Sequence, residues 1–116
     1  MSGKLVSEIG SIYFSDDVLA NIAGVATTEC YGVVGMSSQR ATDGLVELLK
    51  SENLAKGVKI TGDNEKLVVE LFIIVQYGTK ISVIADNIIQ KVKYTLERLT
   101  GLTVTRVVVN VQGVRP

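Results

Sequence analysis

The chain has 116 residues, the size of one domain with a single core, and 47% hydrophobic against 21% charged residues excludes a disordered segment that buries too little to offset its ordering entropy. Twelve basic and twelve acidic side chains cancel, so nucleic-acid binding by the molecule as a whole is not expected. The charge is uneven, however, with 4 basic and 7 acidic side chains in residues 1–58 against 8 and 5 in residues 59–116, which leaves room for a local basic face.

In chain order, Val6 to Phe14 alternates loosely and predicts a first strand. Ser15 then caps a helix whose first turn carries Asp16 and Asp17 at the positive end of the dipole. It runs to about Cys30, with Leu19, Ile22, Ala23, Ala26 and Cys30 as the expected buried stripe and a small outward face of Ala20, Gly24, Thr27 and Thr28. Gly32 to Met36 is a short apolar run between glycines and predicts a second strand; Ser37 to Ala41 follows as a loop. Thr42 and Asp43 offer an N-cap to a short second helix through Leu45, Leu48 and Leu49 that ends near Asn53. Gly57 to Thr61 is a third strand. Gly62-Asp63-Asn64-Glu65 has hairpin-turn chemistry and joins it to a long fourth strand, Leu67 to Tyr77.

Thr79 is placed to cap a third helix, in which Ile81, Ile84, Ala85, Ile88, Val92, Leu96 and Leu99 recur at helical spacing. Gly101 ends it, and Val104 to Val111, rich in β-branched residues, forms the final strand. A strand, helix and strand in that order imply a right-handed parallel crossover. The expectation is therefore one α+β domain over residues 1–116, in two layers, with helices on one face of a mixed sheet and the order β-α-β-α-β-β-α-β.

Chemistry is sparse. With no histidine, the commonest general base and the usual imidazole ligand are missing, and histidine-dependent triads are excluded. A single cysteine, Cys30, neither pairs within the chain nor builds a cysteine-rich metal site, which suits a reducing compartment. Asp16 and Asp17 read as helix-capping carboxylates, Asp63 and Glu65 as a solvated turn, and the Gly32–Gly35 spacing as a strand boundary. No catalytic residues, metal or cofactor are expected.

The start, Met1-Ser2-Gly3-Lys4, has no signal-peptide pattern, and the greasiest stretch falls well short of the ~20 apolar residues that span a bilayer. Location is expected to be cytoplasmic, with no transmembrane segment and any membrane contact peripheral. Two surfaces stand out as candidates for binding. Lys80, Lys91, Tyr94 and Arg98 share one flank of the third helix and form a candidate face for an anion or a protein partner. Phe72, Ile74, Val104 and Val108 alternate onto the side of the sheet away from the helices and form a candidate self-association face, with Ala20, Gly24 and Thr28 as runner-up.

Several segments taken together resemble the alkaline shock protein family of Gram-positive bacteria, in its short single-domain form, over nearly the whole chain. They are Ile12-x-Phe14-Ser15, Val18-x-Ala20-x-Ile22-Ala23-Gly24, Cys30 to Met36, Asp43-Gly44-Leu45, Ile73 to Ile81, Lys91 to Leu96 and Val111-Gln112-Gly113-Val114. The resemblance implies a cytoplasmic protein of the cell-envelope stress response, without established catalytic residues, recruited to the membrane through protein partners such as a membrane-anchoring protein. The leading expectation is a non-catalytic interaction or scaffold module that forms a homo-oligomer. The alternative is a regulatory subunit or a sensor of anions or lipid headgroups linked to fatty-acid or envelope metabolism.

Overall fold

A computed structural model describes residues 3–38, 48–49, 51–63 and 66–116, with 51 and 52 described by backbone alone. Its elements are β1 (Gly3–Ser7), β2 (Gly10–Phe14), α1 (Asp16–Thr28), β3 (Val33–Met36), a 3-10 segment (Ser51–Gly57), β4 (Val58–Asp63), β5 (Lys66–Gln76), α2 (Ile81–Thr100) and β6 (Thr103–Arg115). The α+β class and the mixed sheet are as expected. β5 is its spine, with β4 and β3 antiparallel to different stretches of one edge and β6 parallel along the other.

The predicted first strand is instead a hairpin. β1 and β2 pair antiparallel from Gly3↔Phe14 to Ser7↔Gly10 as a separate two-stranded sheet, and the Ser7 hydroxyl donates to the Gly10 carbonyl across the turn. Gly10 was the readable sign of a break, masked by the apolar residues around it. The predicted second helix, from Thr42, falls mostly outside the described residues. In its described part Leu48 bridges to Ser37 and residues 51–57 form the 3-10 segment. The predicted turn between β4 and β5 begins at Gly62 and Asp63 within β4, and its Asn64 and Glu65 lie outside the described residues.

The two helices form as their sequence dictates, with different details at the caps. Ser15 Oγ accepts from the Val18 amide, as predicted for α1. α2 starts one residue later than expected: Lys80 is its N-cap without a side-chain hydrogen bond, and the Thr79 hydroxyl donates back to the Gln76 carbonyl. Gly101 closes α2 in the left-handed region at φ 77°, where any side chain would be strained.

The core lies between the helices and the sheet. Leu67, Val69, Leu71, Ile73 and Val75 of β5 are fully buried against Ile84, Ile88, Val92 and Leu96 of α2 and Leu19, Ala23 and Ala26 of α1. The stripe expected of α2 is right in its middle and wrong at its ends, because Ile81 and Leu99 are 42% and 64% exposed. α1 needs a larger correction. Ala20, Gly24 and Thr27, expected to face outward, are buried, because the 3-10 segment packs there and Leu54 approaches Gly24. Ile22 and Cys30, expected inside, are half-buried.

Candidate interaction surface

β6 redistributes the face expected for self-association. Val104 pairs with Leu67 but Arg106 with Val68, so Thr105 is an extra residue, and its hydroxyl donates to the Leu67 carbonyl. Such a bulge reverses which residues point to which side. Val104 is therefore a core residue at 1% exposure, and Val107 and Val109 continue the helix-facing side. Arg106, Val108 and Asn110 share the far face with Val68, Glu70 and Phe72, and Asn110 Nδ2 donates to Glu70 Oε1 at 3.0 Å.

Ile74 lies on the far face yet is wholly buried. Its partner across the ladder is Gly35, and a Cβ there would meet Leu48 Cδ1 at 2.6 Å, so Leu48 covers this end of the sheet. Of the four expected residues, only Phe72 and Val108 remain as half-buried neighbours on the outer side. The runner-up contact is also gone, since Ala20 and Gly24 are occupied within the chain.

The α2 flank is assembled as the helical period requires, but its charges are partly engaged. Lys91 Nζ lies 3.2 Å from Glu29 Oε1 on the α1 side, a partly exposed pair worth at most about 1 kcal/mol. Arg98 Nη1 donates to the Tyr94 hydroxyl at 2.8 Å, with its guanidinium 5.8 Å from the ring centroid. Lys80 stands apart at the helix start, roughly 16 Å from Lys91 by the helical rise.

Two apolar surfaces that sequence reasoning did not single out are more prominent. On the β1–β2 hairpin, Ile9 at the turn is 99% exposed, and Val6, Ile12 and Tyr13 are 56%, 54% and 56% exposed. Between α1 and α2 runs an open groove of about 310 Å³, where Ile22, Val25, Ala26 and Leu99 form an apolar lining bordered by Asn21, Glu29 and Thr95. Only the pairing of the two helices brings these side chains together.

Cys30 borders this region, and its Sγ donates to the Ala26 carbonyl at 3.5 Å. Burial pushes its thiol pKa up, Lys91 pulls it down and Glu29 adds to the rise. The balance favours the thiol over the nucleophilic thiolate. Among the described residues no cluster of three or more cysteine or carboxylate side chains is placed to hold a metal ion. No helix among them is long and apolar enough to cross a membrane.

Comparison with known proteins places the sequence. Protein YloU of Bacillus subtilis strain 168 is 46% identical over 116 residues, covering 99% of this chain and 97% of that protein. Protein Spy1614 of Streptococcus pyogenes serotype M6 is 40% identical over 116 residues, covering 99% and 96%. A homolog of the stress response regulator gls24 from S. pyogenes serotype M3 is 27% identical over 115 residues, 98% of this chain but 64% of that longer protein. No solved structure matches the chain. The model of the alkaline shock protein 23 family, described by a cell envelope-related function, matches residues 4–116, and the chain belongs to that family, in line with the resemblance in its sequence segments.

Proposed function

We propose that this chain is a non-catalytic interaction module of the cell-envelope stress response, that it self-associates, and that a protein partner recruits it to the membrane. Family membership supports the envelope setting, and the stress response regulator homologs among its relatives support the link to stress. The observation that carries the interaction role is the hairpin, where Ile9 at the turn is 99% exposed and the exposed Val6 and Tyr13 share one face, because exposed apolar side chains that share a face support a contact role. The alternative of an anion or lipid-headgroup sensor rests on Lys80, Lys91, Tyr94 and Arg98. It has less support, because Glu29 offsets one of its three cations.

Sedimentation equilibrium of the full chain over a range of concentrations tests the self-association. The expected result is an average mass that rises above that of one chain as concentration increases. A mass of one chain throughout would overturn this part of the reading.

A further inference from the structure

We propose that the free edge of β6 is a self-association surface, at which the β6 strands of two copies pair antiparallel about a two-fold axis at Val108 and join the two sheets. This rests on the self-association reading above and names a strand and register, separate from the hairpin, that make the contact.

β6 is hydrogen-bonded to β5 along one side, and no other described segment pairs with its far edge. Such an edge leaves a row of amides and carbonyls able to pair with another strand. Proteins blunt these edges with shortness, charge or glycine, and the opposite side of this sheet follows that rule: β3 has four residues, and β4 has six, among them Lys59, Gly62 and Asp63. β6 has thirteen residues, and its middle, Arg106-Val107-Val108-Val109-Asn110-Val111, is regular, mostly β-branched and carries one charge. Bulges at Thr105 and Gln112 bound that stretch, because Leu67↔Val104 is followed by Val68↔Arg106, and Ile73↔Val111 by Ile74↔Gly113.

Two-fold pairing that keeps both helix layers on one side of the joined sheet sets residues of the same face opposite each other. With the axis at Val108, residues 106–110 pair within the regular stretch and supply about four to six backbone hydrogen bonds. Val108 then meets Val108 of the other copy, and Arg106 lies opposite Asn110. Asn110 Nδ2 donates to Glu70 Oε1 at 3.0 Å, so the Arg106 guanidinium comes to the Glu70 carboxylate of the other copy, and the axis repeats the contact. Both groups are available: Arg106 is exposed, and neither it nor Glu70, which has Lys59 opposite it on β4, makes an ion pair among the described residues. An axis at Val107 draws the Thr105 bulge into the ladder, and one at Val109 sets Arg106 against the bulged Gln112.

The helix layer fits the same axis. α2 covers the β5–β6 side of the sheet, and its Glu97 carboxylate accepts from the Val104 amide at 3.0 Å. With strands about 4.8 Å apart, the α2 helices of the two copies come to about 10 Å from each other, a helix-packing distance. The flank turned away from α1, about 140–160° around the helix from Lys91, carries Asp86, Ile89 and Lys93. From Val104, level with Glu97, to Val108 is about 13 Å, or about nine residues back along α2, which brings Ile89 near the axis. Asp86, a turn before Ile89, then approaches Lys93, a turn after it, on the antiparallel helix of the other copy. Both are exposed and make no ion pair among the described residues. Sheet and helix thus supply separate sets of opposite charges to one axis, and this self-complementarity commits the edge to a second copy.

The test uses the full chain with Cys30→Ala as background. Val108→Cys and, as a control on the β4 edge, Thr61→Cys are mildly oxidised. Arg106→Glu and the double variant Arg106→Glu/Glu70→Arg are compared with the parent by sedimentation. Val108→Cys is expected to form a disulfide-linked pair, since opposed residues on antiparallel strands have Cα atoms about 4.5–5.5 Å apart, within disulfide reach, and Thr61→Cys at most a trace. Arg106→Glu is expected to associate at least about tenfold more weakly, because two attractions become repulsions, and the double variant to recover most of that loss. Arg106 is exposed, so an unchanged circular dichroism spectrum will show that its variant remains folded. If the parent associates but Val108→Cys links no better than Thr61→Cys and Arg106→Glu associates like the parent, this contact is wrong and the self-association reading stands. If the parent stays a single chain at every concentration, both fail.

Discussion

Gly24 shows how a residue acquires its role from its neighbour. A Cβ added there would lie 3.1 Å from Leu54 Cβ and 3.4 Å from the Leu54 carbonyl oxygen, inside a packed contact. In an exposed helix a larger residue than glycine would stabilise; at this position Gly24→Val is expected to cost about 1–3 kcal/mol through overpacking, measured by urea unfolding. Cys30 is the contrasting case, because its half-buried thiol fills space and makes one weak hydrogen bond. Cys30→Ala is expected to change stability only modestly, by about 1 kcal/mol or less. Its raised pKa has a sign that can be checked. The folded state holds the thiol proton more tightly than the unfolded chain does, so this contribution is complete below the ordinary thiol value and lost as pH rises through the raised one. Parent stability should therefore fall in that alkaline window, and the fall should be smaller in Cys30→Ala. The lack of basic neighbours beside Cys30 was legible in the sequence, whereas Lys91 reaches it only across the helix pair.

At the scale of elements, strict alternation predicts one face per strand, and β6 departs from it at Thr105. Val104 and Val108 share a parity in sequence, yet the bulge places them on opposite sides of the sheet. Val104→Lys is expected to destabilise by several kcal/mol, since it drives a charge into the core, whereas Val108→Lys should cost under about 1 kcal/mol. Similar thermal midpoints for the two would contradict this assignment. The long middle of α2 was readable because Ile84, Ile88, Val92 and Leu96 repeat every four residues and meet one continuous sheet. Its last turn was not, because Leu99 faces the groove beside α1 rather than the sheet. The β4–β5 hairpin followed from Gly62 and Asp63, whereas the β1–β2 turn uses Glu8 and Ile9 and showed in the sequence only through Gly10 beside them.

For the whole molecule, the proposed self-association has its ground in apolar surface. The β1–β2 hairpin and the α1–α2 groove leave apolar side chains exposed among the described residues, which supports that proposal. By itself the sequence determined the α+β class, the parallel pairing of β5 with β6, the caps at Ser15 and Gly101, and membership of a family related to the cell envelope. These rest on local chemistry and short-range periodicity, which each segment carries within itself. Only the tertiary structure decided that Val104 is core, that the small face of α1 is covered, that Ile74 is hidden beneath Leu48, and that Ile22, Val25 and Leu99 share a groove. Each depends on one extra residue in a ladder or on which segment packs against which, and neither is encoded in the period of a single element.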